Sequence, residues 1–393
     1  MKPCRSNFWV VTVAGLLLLL ATPGVILAAR GLLEGSHGKK SQLPKSCRSC
    51  HQGMAMLVTG EESSCLPCHG DNDDRQQMER DGFLKLQGNT RLGDIGAELR
   101  KPYAHPTLEV RGVHQVRETL PEEVTNAARH AECVDCHNPH RSDEGKPLRG
   151  VMGKRAGNQK GVITAEYELC YKCHAESANL PGNATNKHAE FKTSNPSFHP
   201  VEGEGKNSYV ISLRDPYAPT KSRPGDVSII TCSDCHGSDD PNAPKGPHGS
   251  ANEGLLTLGY QMADGLPESP SAYALCYKCH DRDSILGDQS FPYHSQHIVG
   301  KITGREGTSC YTCHDAHGSL QYPSLIRFNE QVVTPTSDGG GLSALPATPG
   351  GTQKVGASPP LSGVLKYDAR GASARRGACY LTCHGVEHNP KEY

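Results

Sequence analysis

The sequence predicts a fold made mostly of irregular coil with short α-helices and with little or no β-sheet, wrapped around groups that are not amino acids. Only 35% of the 393 residues are apolar, and one Trp and six Phe leave little aromatic material for a core. Gly and Pro number 43 and 28, a composition that interrupts regular structure. Such a chain is either disordered or built around bound groups. Its 17 Cys and 20 His favour bound groups.

The charge balance argues against a nucleic-acid-binding protein. The chain has 41 Lys or Arg and 42 Asp or Glu, for a net charge of −1. A protein that binds nucleic acid usually carries a surplus of basic residues. We therefore expect no nucleic-acid partner.

The N-terminal segment predicts export. Lys2 and Arg5 precede an apolar run over 8–20, and a Pro-Gly break and small residues follow. This order is typical of a secretory signal peptide, here residues 1–29. The run and its flank are also long enough for an uncleaved membrane anchor, but the break favours cleavage. We expect an exported protein in the periplasm, with the cell surface or the extracellular space as the alternative, and no transmembrane segment in the mature chain.

The cysteines beyond Cys4 fall into eight couples, and each couple is followed at once by His. Seven couples have the form Cys-x-x-Cys-His, and the eighth has three residues between its cysteines. Disulfides are the usual role of cysteines in an exported protein, but they do not require a His after every couple. The motifs are Cys47/Cys50/His51, Cys65/Cys68/His69, Cys133/Cys136/His137, Cys170/Cys173/His174, Cys232/Cys235/His236, Cys276/Cys279/His280, Cys310/Cys313/His314 and Cys379/Cys383/His384.

This pattern is that of covalent c-type haem attachment. Two thiols add to the vinyl groups of one haem, and the adjacent His binds the iron from the proximal side. Zinc is the alternative, because paired Cys-x-x-Cys couples resemble a zinc ribbon, but zinc requires no His after each couple. The sequence therefore predicts eight covalent haems c, held by the sixteen cysteines as thioethers and by the eight His as proximal ligands. The longer spacer of the eighth motif departs from the pattern.

Internal duplication carries a resemblance to a known family. The segment Leu-Cys-Tyr-Lys-Cys-His at 169–174 recurs at 275–280, and the segment 133–140 is echoed at 310–317. With these motifs the chain resembles the multihaem c-type cytochromes of the doubled-motif kind found in dissimilatory metal-reducing bacteria. The motifs sort into pairs, and we divide the chain accordingly: 30–126 for the first haem pair and a linker, 127–225 for the second pair, 226–300 for the third and 301–393 for the fourth.

The spacing of the motifs sets the expected fold, which is coil and short helices around a stack of covalent haems. Helices are expected over 127–136 and 166–173, the second of them ending at Cys173. The segment 334–363 differs, since 20 of its 30 residues are Gly, Pro, Ser or Thr. It is expected to form a long loop between the seventh and eighth haems.

Twelve His remain after the proximal ligands are assigned, and eight of them are candidates for the distal position on iron. His140 and His317 follow a proximal His by three residues, and the resemblance implies that they bind a neighbouring haem. His37 is a reserve candidate, and Met54 and Met56 could offer sulfur instead. His114, His130 and His188 are expected to be ordinary residues. The eight distal candidates are His105, His140, His199, His248, His294, His297, His317 and His388.

Three functions compete at this point. The expected one is electron transfer through eight haems in respiratory or extracellular electron transfer, without catalysis. Its partners would be redox protein donors and acceptors, including an outer-membrane electron conduit or an extracellular metal oxide. The alternatives are a subunit of an extracellular cytochrome filament and a multihaem reductase of a small nitrogen or sulfur species. A reductase needs an open position on iron, often marked by a Lys-terminated motif, and all eight motifs here end in His.

Overall fold

The structure is a computed structural model, and it describes the chain in segments. These are residues 33–52, 55–56, 61–88, 92–108, 131–155, 159–175, 180, 184–207, 210–218, 229–300, 307–336, 363–370 and 375–393. Several predicted features lie outside these residues: the signal peptide 1–29, Met54, His114, His130, the first four residues of the 127–136 helix and nearly all of the 334–363 loop. Within the described residues, no helix is long and apolar enough to cross a membrane.

The helices of the described residues are short, and many carry an attachment motif. Residues three apart lie on the same side of a helix, so one helical turn brings both cysteines of a Cys-x-x-Cys couple to one side. The motifs at Cys47 and Cys232 use 3₁₀ turns, Ser46–Ser49 and Cys232–Asp234. The α-helices are α1 (Glu61–His69), α2 (Asn72–Arg80), α3 (Ile95–Leu99), α4 (Cys133–Cys136), α5 (Glu166–His174), α6 (Lys187–Phe191), α7 (Ala274–Tyr277), α8 (Arg282–Leu286), α9 (His294–Val299) and α10 (Cys310–Cys313).

The helix predicted over 166–173 is present, but its C-terminal boundary at Cys173 is wrong by one residue. Helix α5 continues through Cys173 to His174, and the backbone becomes extended only at Ala175. The physical reason is that this proximal His keeps the helical conformation of its two cysteines. In α4 and α10 the helix instead ends at the second cysteine, and the following His is extended.

The helix predicted over 127–136 is wrong at its start in the part that the structure describes. Residues 131–132 are not helical, and α4 begins only at Cys133. Glu132 has an extended backbone, and its N–H donates to Asp135 Oδ2 at 2.8 Å. That hydrogen bond satisfies the Glu132 donor outside a helix, so the turn begins at the motif itself.

Local capping explains where several of these helices begin. The Asp71 carboxylate accepts from the Asp74 N–H at 2.9 Å before α2. Asn186 caps α6 and Asp281 caps α8 in the same way, by accepting from the backbone N–H three residues later. Each cap satisfies a backbone donor that the first turn leaves without a partner. Helices of five to nine residues therefore form without a long apolar face.

The described strands form small antiparallel sheets. The strands are β1 (His51–Gln52), β2 (Ala55–Met56), β3 (Tyr103–Ala104), β4 (Met152–Arg155), β5 (Gln159–Val162), β6 (Ser197–Phe198), β7 (Gly249–Ser250), β8 (Gly318–Ser319), β9 (Val333–Thr334), β10 (Lys366–Ala369), β11 (Gly377–Cys383) and β12 (Val386–Glu392). Two-stranded sheets pair β1 with β2, β3 with β7, β4 with β5 and β6 with β8. A four-stranded sheet has the order β10-β11-β12, with β9 beside β11.

Contacts divide the chain into two compact units. Unit 1 holds residues 1–97, 106–118 and 130–152, and unit 2 holds 98–105, 119–129 and 153–393. The first three motifs therefore lie in unit 1 and the other five in unit 2. The division into four haem pairs stays a prediction about the sequence repeat. In unit 2, Tyr273, Tyr277 and Ile298 form a small buried cluster beside the sixth motif.

Candidate haem-binding sites

The sixteen cysteines of the eight couples are all described, and none of them forms a disulfide. Fourteen are partly buried, while Cys47 and Cys50 are exposed. Cysteines that form no disulfides are what covalent attachment of another group requires.

The fourth motif shows how a helix presents both thiols together with the proximal His. Cys170, Cys173 and His174 all lie in the second half of α5, where Cys170 and Cys173 are one turn apart. Both cysteines are partly buried and free of disulfides. The role of Cys173 as a haem thioether stays a prediction, as it does for the other fifteen cysteines.

Six of the eight predicted proximal His rings lie opposite the ring of a second His. These are the proximal His of the first and second motifs in unit 1 and of the fourth to seventh motifs in unit 2. The centroid separations are His69–His37 6.0 Å, His51–His140 6.1 Å, His174–His105 6.4 Å, His280–His199 6.4 Å, His236–His317 6.3 Å and His314–His294 6.4 Å.

These separations fit an iron held between two imidazoles. A ring nitrogen binds a transition metal at about 2 Å, so two rings on opposite sides of one ion have centroids about 6 to 6.5 Å apart. Rings that only stack on each other also reach such distances, but the interplanar angles here range from 4° to 76°, so no stacking geometry is shared. A common separation without a common angle is what one metal ion between the rings of each pair would require. The donor set therefore fits bis-His haem.

The second ring nitrogen of many of these His is held by the protein. In the proximal His137, His236 and His314, Nδ1 donates to a backbone carbonyl, at 3.2, 2.9 and 2.9 Å. His280 Nδ1 lies 3.0 Å from the Ser212 hydroxyl. A hydrogen bond at Nδ1 fixes the tautomer and leaves Nε2 as the metal ligand. Opposite rings follow the same rule: His37, His105, His199 and His297 place Nδ1 on the carbonyls of Pro139, Pro247, Ala316 and Tyr293.

Burial favours the neutral form of several of these imidazoles, the form that iron ligation requires. Burial lowers the pKa of His69, His236 and His280 to about 4 each, and it lowers the pKa of His294 to about 3. Charged partners add smaller effects, such as that of His37 on the pKa of His69. A neutral imidazole at pH 7 has a lone pair on Nε2 for a metal.

His317 has a more strongly charged surrounding than the other rings. Its Nδ1 donates to Asp315 Oδ1 at 3.0 Å and lies 3.6 Å from Glu190 Oε2. Arg327 bridges the two carboxylates, with Nη1 2.9 Å from Glu190 Oε1. Burial by itself would raise the pKa of Asp315, but hydrogen bonds from His317 and the charge of Arg327 hold that pKa well below its usual range. Because His317 Nδ1 is engaged here, its Nε2 side faces His236.

Two equivalent two-stranded sheets position four of the candidate ligands. Strand β3 precedes His105 and pairs with β7, which follows His248; strand β6 precedes His199 and pairs with β8, which follows His317. In both sheets the N–H of the first His donates to the carbonyl of the second, at 3.3 and 3.0 Å. A short helix packs against each sheet so closely that a Cβ on Gly249 would lie 1.8 Å from the Glu98 carbonyl, and one on Gly318 2.1 Å from that of Glu190.

The sequence contains the signal of this repeat, although motif spacing alone did not reveal it. Ala-Glu-Leu at 97–99 precedes His105-Pro, and Ala-Glu-Phe at 189–191 precedes His199-Pro. His-Gly-Ser occurs at 248–250 and again at 317–319. The repeat identifies supporting residues that were not predicted, namely the buried Glu98 and Glu190 and the carboxylate of Asp315.

The remaining candidates have different surroundings. The reserve candidate His37 lies opposite His69, while Met56 is exposed, and His51 faces His140 instead of sulfur. His188 packs on the Tyr171 ring, with centroids 5.3 Å apart. The assignments of His137 and His248 to a bis-His iron stay predictions.

The eighth motif differs from the other seven. Its cysteines lie on strand β11, and His384 follows with a left-handed φ of 50°. His384 Nε2 donates to Asp264 Oδ2 at 2.6 Å. The candidates His297 and His388 lie opposite each other instead, with centroids 6.4 Å apart.

The comparisons with known proteins agree with this chemistry. Residues 129–324 match the family described as outer membrane cytochrome MtrC/MtrF-like, domains II/IV. The match covers just under half of the chain and includes the third to the seventh motif. No curated protein and no solved structure matches the chain significantly. Over residues 129–324 the chain is thus similar to outer membrane MtrC/MtrF-like cytochromes, which supports a multihaem c-type cytochrome.

Proposed function

We propose that this chain is an electron-transfer protein that relays electrons through eight covalent haems c and catalyses no substrate reaction. The observation that carries the proposal is the set of six proximal His rings, each with a second His ring 6.0–6.4 Å away. An iron with His on both sides has no open position for a substrate. Haem supplies the one-electron chemistry, and the protein holds the ligands and excludes other groups from the iron.

Contacts between the first and second motifs and from the sixth to the eighth motif support electron transfer between their haems. Cys276 of the sixth motif and Cys310 of the seventh are close enough to form a side-chain hydrogen bond. Burial raises the pKa of the Cys313 thiol to about 12, and the nearby thiols of Cys379 and Cys383 contribute to that rise. In unit 1, Cys50 acts in the same way on Cys68. Haems held at neighbouring thiols would be close enough for electrons to pass between them without intervening chemistry.

The family match supports a place in extracellular respiration. The matched family is described by its outer membrane location, and this chain is proposed to act at or near the cell surface after export by residues 1–29. Its partners would be redox proteins on one side and, on the other, an outer-membrane conduit or an extracellular metal oxide. The periplasm stays the alternative location.

Carbon monoxide binding and intact mass together test this function. The mature protein should have a mass that includes eight haems, and after reduction its haem absorption should change little when CO is added, because every sixth position is occupied by His. Electron paramagnetic resonance of the oxidised protein should show low-spin ferric haem only. Stoichiometric CO uptake by the unmodified protein would instead favour the reductase, and a mass with fewer haems would contradict the proposed number.

A further inference from the structure

In the eighth motif both cysteines lie on a strand, whereas the His that follows them has a left-handed backbone conformation. Cys379 and Cys383 are four residues apart, and both lie on β11. A helix brings residues three apart to one side, whereas side chains in a strand alternate, so an even separation suits a strand. The three-residue spacer therefore fits the strand that carries this motif. The chain then turns at His384 with φ 50°, so this His does not continue the strand face.

The ring atom that a proximal His needs for iron is already occupied in His384. In His137, His236 and His314 the protein binds Nδ1 and leaves Nε2 for the metal. In His384 it is Nε2 that donates to Asp264, at 2.6 Å. Asp264 is itself fixed by Thr308 Oγ1, by Ser309 N–H at 3.1 Å and by Thr312 Oγ1 at 2.9 Å. All three hydrogen bonds reach Asp264 Oδ1, so they hold this carboxylate in place while its Oδ2 contacts His384.

A different residue, His388, lies on the face of the four-stranded sheet that carries Cys383. His388 on β12 is the direct register partner of Leu381, which precedes Cys383 by two residues on β11. Residues two apart in a strand share a face, and so do paired residues of antiparallel strands. His388 therefore lies on the side of the sheet that carries Cys383. Its ring has that of His297 opposite, at 6.4 Å and 33°, which is the separation of the six pairs that contain a proximal His.

The elements on both sides of this ring pair hold it in place. His297 lies on α9, and its Nδ1 donates to the Tyr293 carbonyl at 2.7 Å. The C-terminal strand packs on the segment before α9, with the Phe291 and Tyr393 ring centroids 4.7 Å apart and Lys391 Nζ 5.7 Å from the Tyr293 ring centre. The His297–His388 pair is therefore part of a packed interface within unit 2.

We propose that the haem attached to Cys379 and Cys383 is ligated by His388 and His297, and that His384 is a positioning residue that ties the β11–β12 turn to Asp264. The proposal rests on the proposed function, since it concerns one of the same eight haems. It assigns the ligands of that haem to a His four residues beyond the motif and to a His of α9. The irons of the other seven haems are unaffected.

Methionine substitution gives a gain of signal that separates the two candidates. His388→Met in the full mature protein should give one haem with His and Met ligands, with its charge-transfer band in the far-red and one component of raised potential. His384→Met should give neither. If the band appears with His384→Met and not with His388→Met, the proposal is wrong. If both variants keep eight haems and neither shows the far-red charge-transfer band, alanine variants of the same residues decide which His binds the iron.

Alanine variants provide the second readout. His388→Ala and His297→Ala should each raise CO uptake from none to one per protein, as should the matched control His317→Ala, which exposes the His236 haem. His384→Ala and the second control His188→Ala should leave CO uptake at zero. CO uptake by His384→Ala with none by His388→Ala overturns the assignment. Even then, an unmodified protein that binds no CO would still support the electron-transfer function. The assignment of the eighth haem's ligands and the proposed function can therefore fail separately.

Discussion

The paired His rings have nearly equal centroid separations, but their Nδ1 atoms form hydrogen bonds with different kinds of acceptor. Seven of the described Nδ1 atoms donate to neutral carbonyls, whereas that of His317 donates to the ionised Asp315. A carboxylate at Nδ1 gives the imidazole partial negative charge, and this stabilises ferric over ferrous iron. The haem between His236 and His317 is thus expected to have a lower reduction potential than it would with a carbonyl partner.

Asp315→Asn tests this expectation. Removal of the charge should raise the potential of one haem by about 60 to 120 mV, which corresponds to a tenfold to hundredfold change in relative ferric affinity. Spectroelectrochemistry of the variant and the unmodified protein measures the shift. The control is Asp239→Asn, which breaks an ion pair with Lys101 in the equivalent sheet. An equal shift in both variants would mean that general loss of charge, and not the contact with His317, sets the potential.

The sequence alone predicts roles for single residues where spacing encodes them. Sixteen cysteines and eight His follow from one local pattern, because attachment to a single haem constrains residues within one turn. Distal ligands approach from other segments, so their pairing depends on tertiary structure. His37 illustrates the limit: nothing near it in the sequence marks it as the residue opposite His69.

At the scale of elements, the attachment turns depend on contacts outside the motif. Glu268 joins the sixth motif to α8: it accepts from Arg282 Nε and Nη2 at 2.8 and 2.6 Å and from the Tyr277 hydroxyl at 3.1 Å. The hydrogen bond from Arg282 outweighs burial and lowers the pKa of Glu268. The carboxylate therefore stays ionised to a lower pH than that of an ordinary Glu.

Glu268→Gln should destabilise the protein by about 1 to 3 kcal/mol at pH 7, the usual cost of breaking a hydrogen-bonded, charged contact. Because the folded pKa lies below the usual value of 4.5, the contribution is present above that pH and is lost as pH falls through the lowered pKa. Thermal unfolding at several pH values measures the difference, which should shrink toward acid. The exposed Glu253→Gln is the control, and a difference that does not depend on pH would contradict the role of the charge.

The β11–β12 hairpin predicts an independent result for the eighth haem. The double variant Cys379→Ala with Cys383→Ala should lose one haem by intact mass and retain seven. The reason is that the other seven attachment turns lie outside the four-stranded sheet. Loss of the whole haem spectrum would show instead that the haem core folds as a single unit.

Short sheets are the elements that the sequence predicted least. Strands β3, β6, β7 and β8 have two residues each, which is too short for an alternating pattern to be recognised. The longer strand β11 was hidden for another reason, since the attachment motif was expected to form a helical turn. The three-residue spacer between Cys379 and Cys383 is the feature of the sequence that indicates a strand.

Helix ends were also beyond what the motif pattern could predict. The same Cys-x-x-Cys-His pattern ends α5 at His174, one residue past Cys173, but ends α4 at Cys136. The residues of the motif do not decide this difference, because the conformation of the His depends on the segment that follows it. Boundaries of this kind depend on tertiary contacts and not on local spacing.

For the whole molecule, charge is expected to couple the haems. A ferric bis-His haem with ionised propionates adds a net charge of −1, so eight haems would take the chain from −1 to about −9, and each electron adds one more negative charge. Reduction of one haem then opposes reduction of its neighbours. A single centre is reduced from 10% to 90% over about 110 mV, and the protein should need several times that range.

A redox titration at two salt concentrations checks this coupling. The range should narrow at higher salt, because screening weakens the repulsion between partly exposed charges. A range as narrow as that of one centre would contradict both the number of haems and their proximity.

The ring pairs also have a consequence for how the chain folds. His199 and His280 are 81 residues apart, as are His236 and His317, and the two loops that they close interleave. An iron held between each pair would act as a cross-link, and cross-links that close long loops remove the most entropy from the unfolded chain. The described cysteines form no disulfides and only 35% of the chain is apolar, so little else closes these loops. Folding is therefore expected to wait for haem, and a copy that misses one attachment should keep a loop of about 80 residues open to proteases.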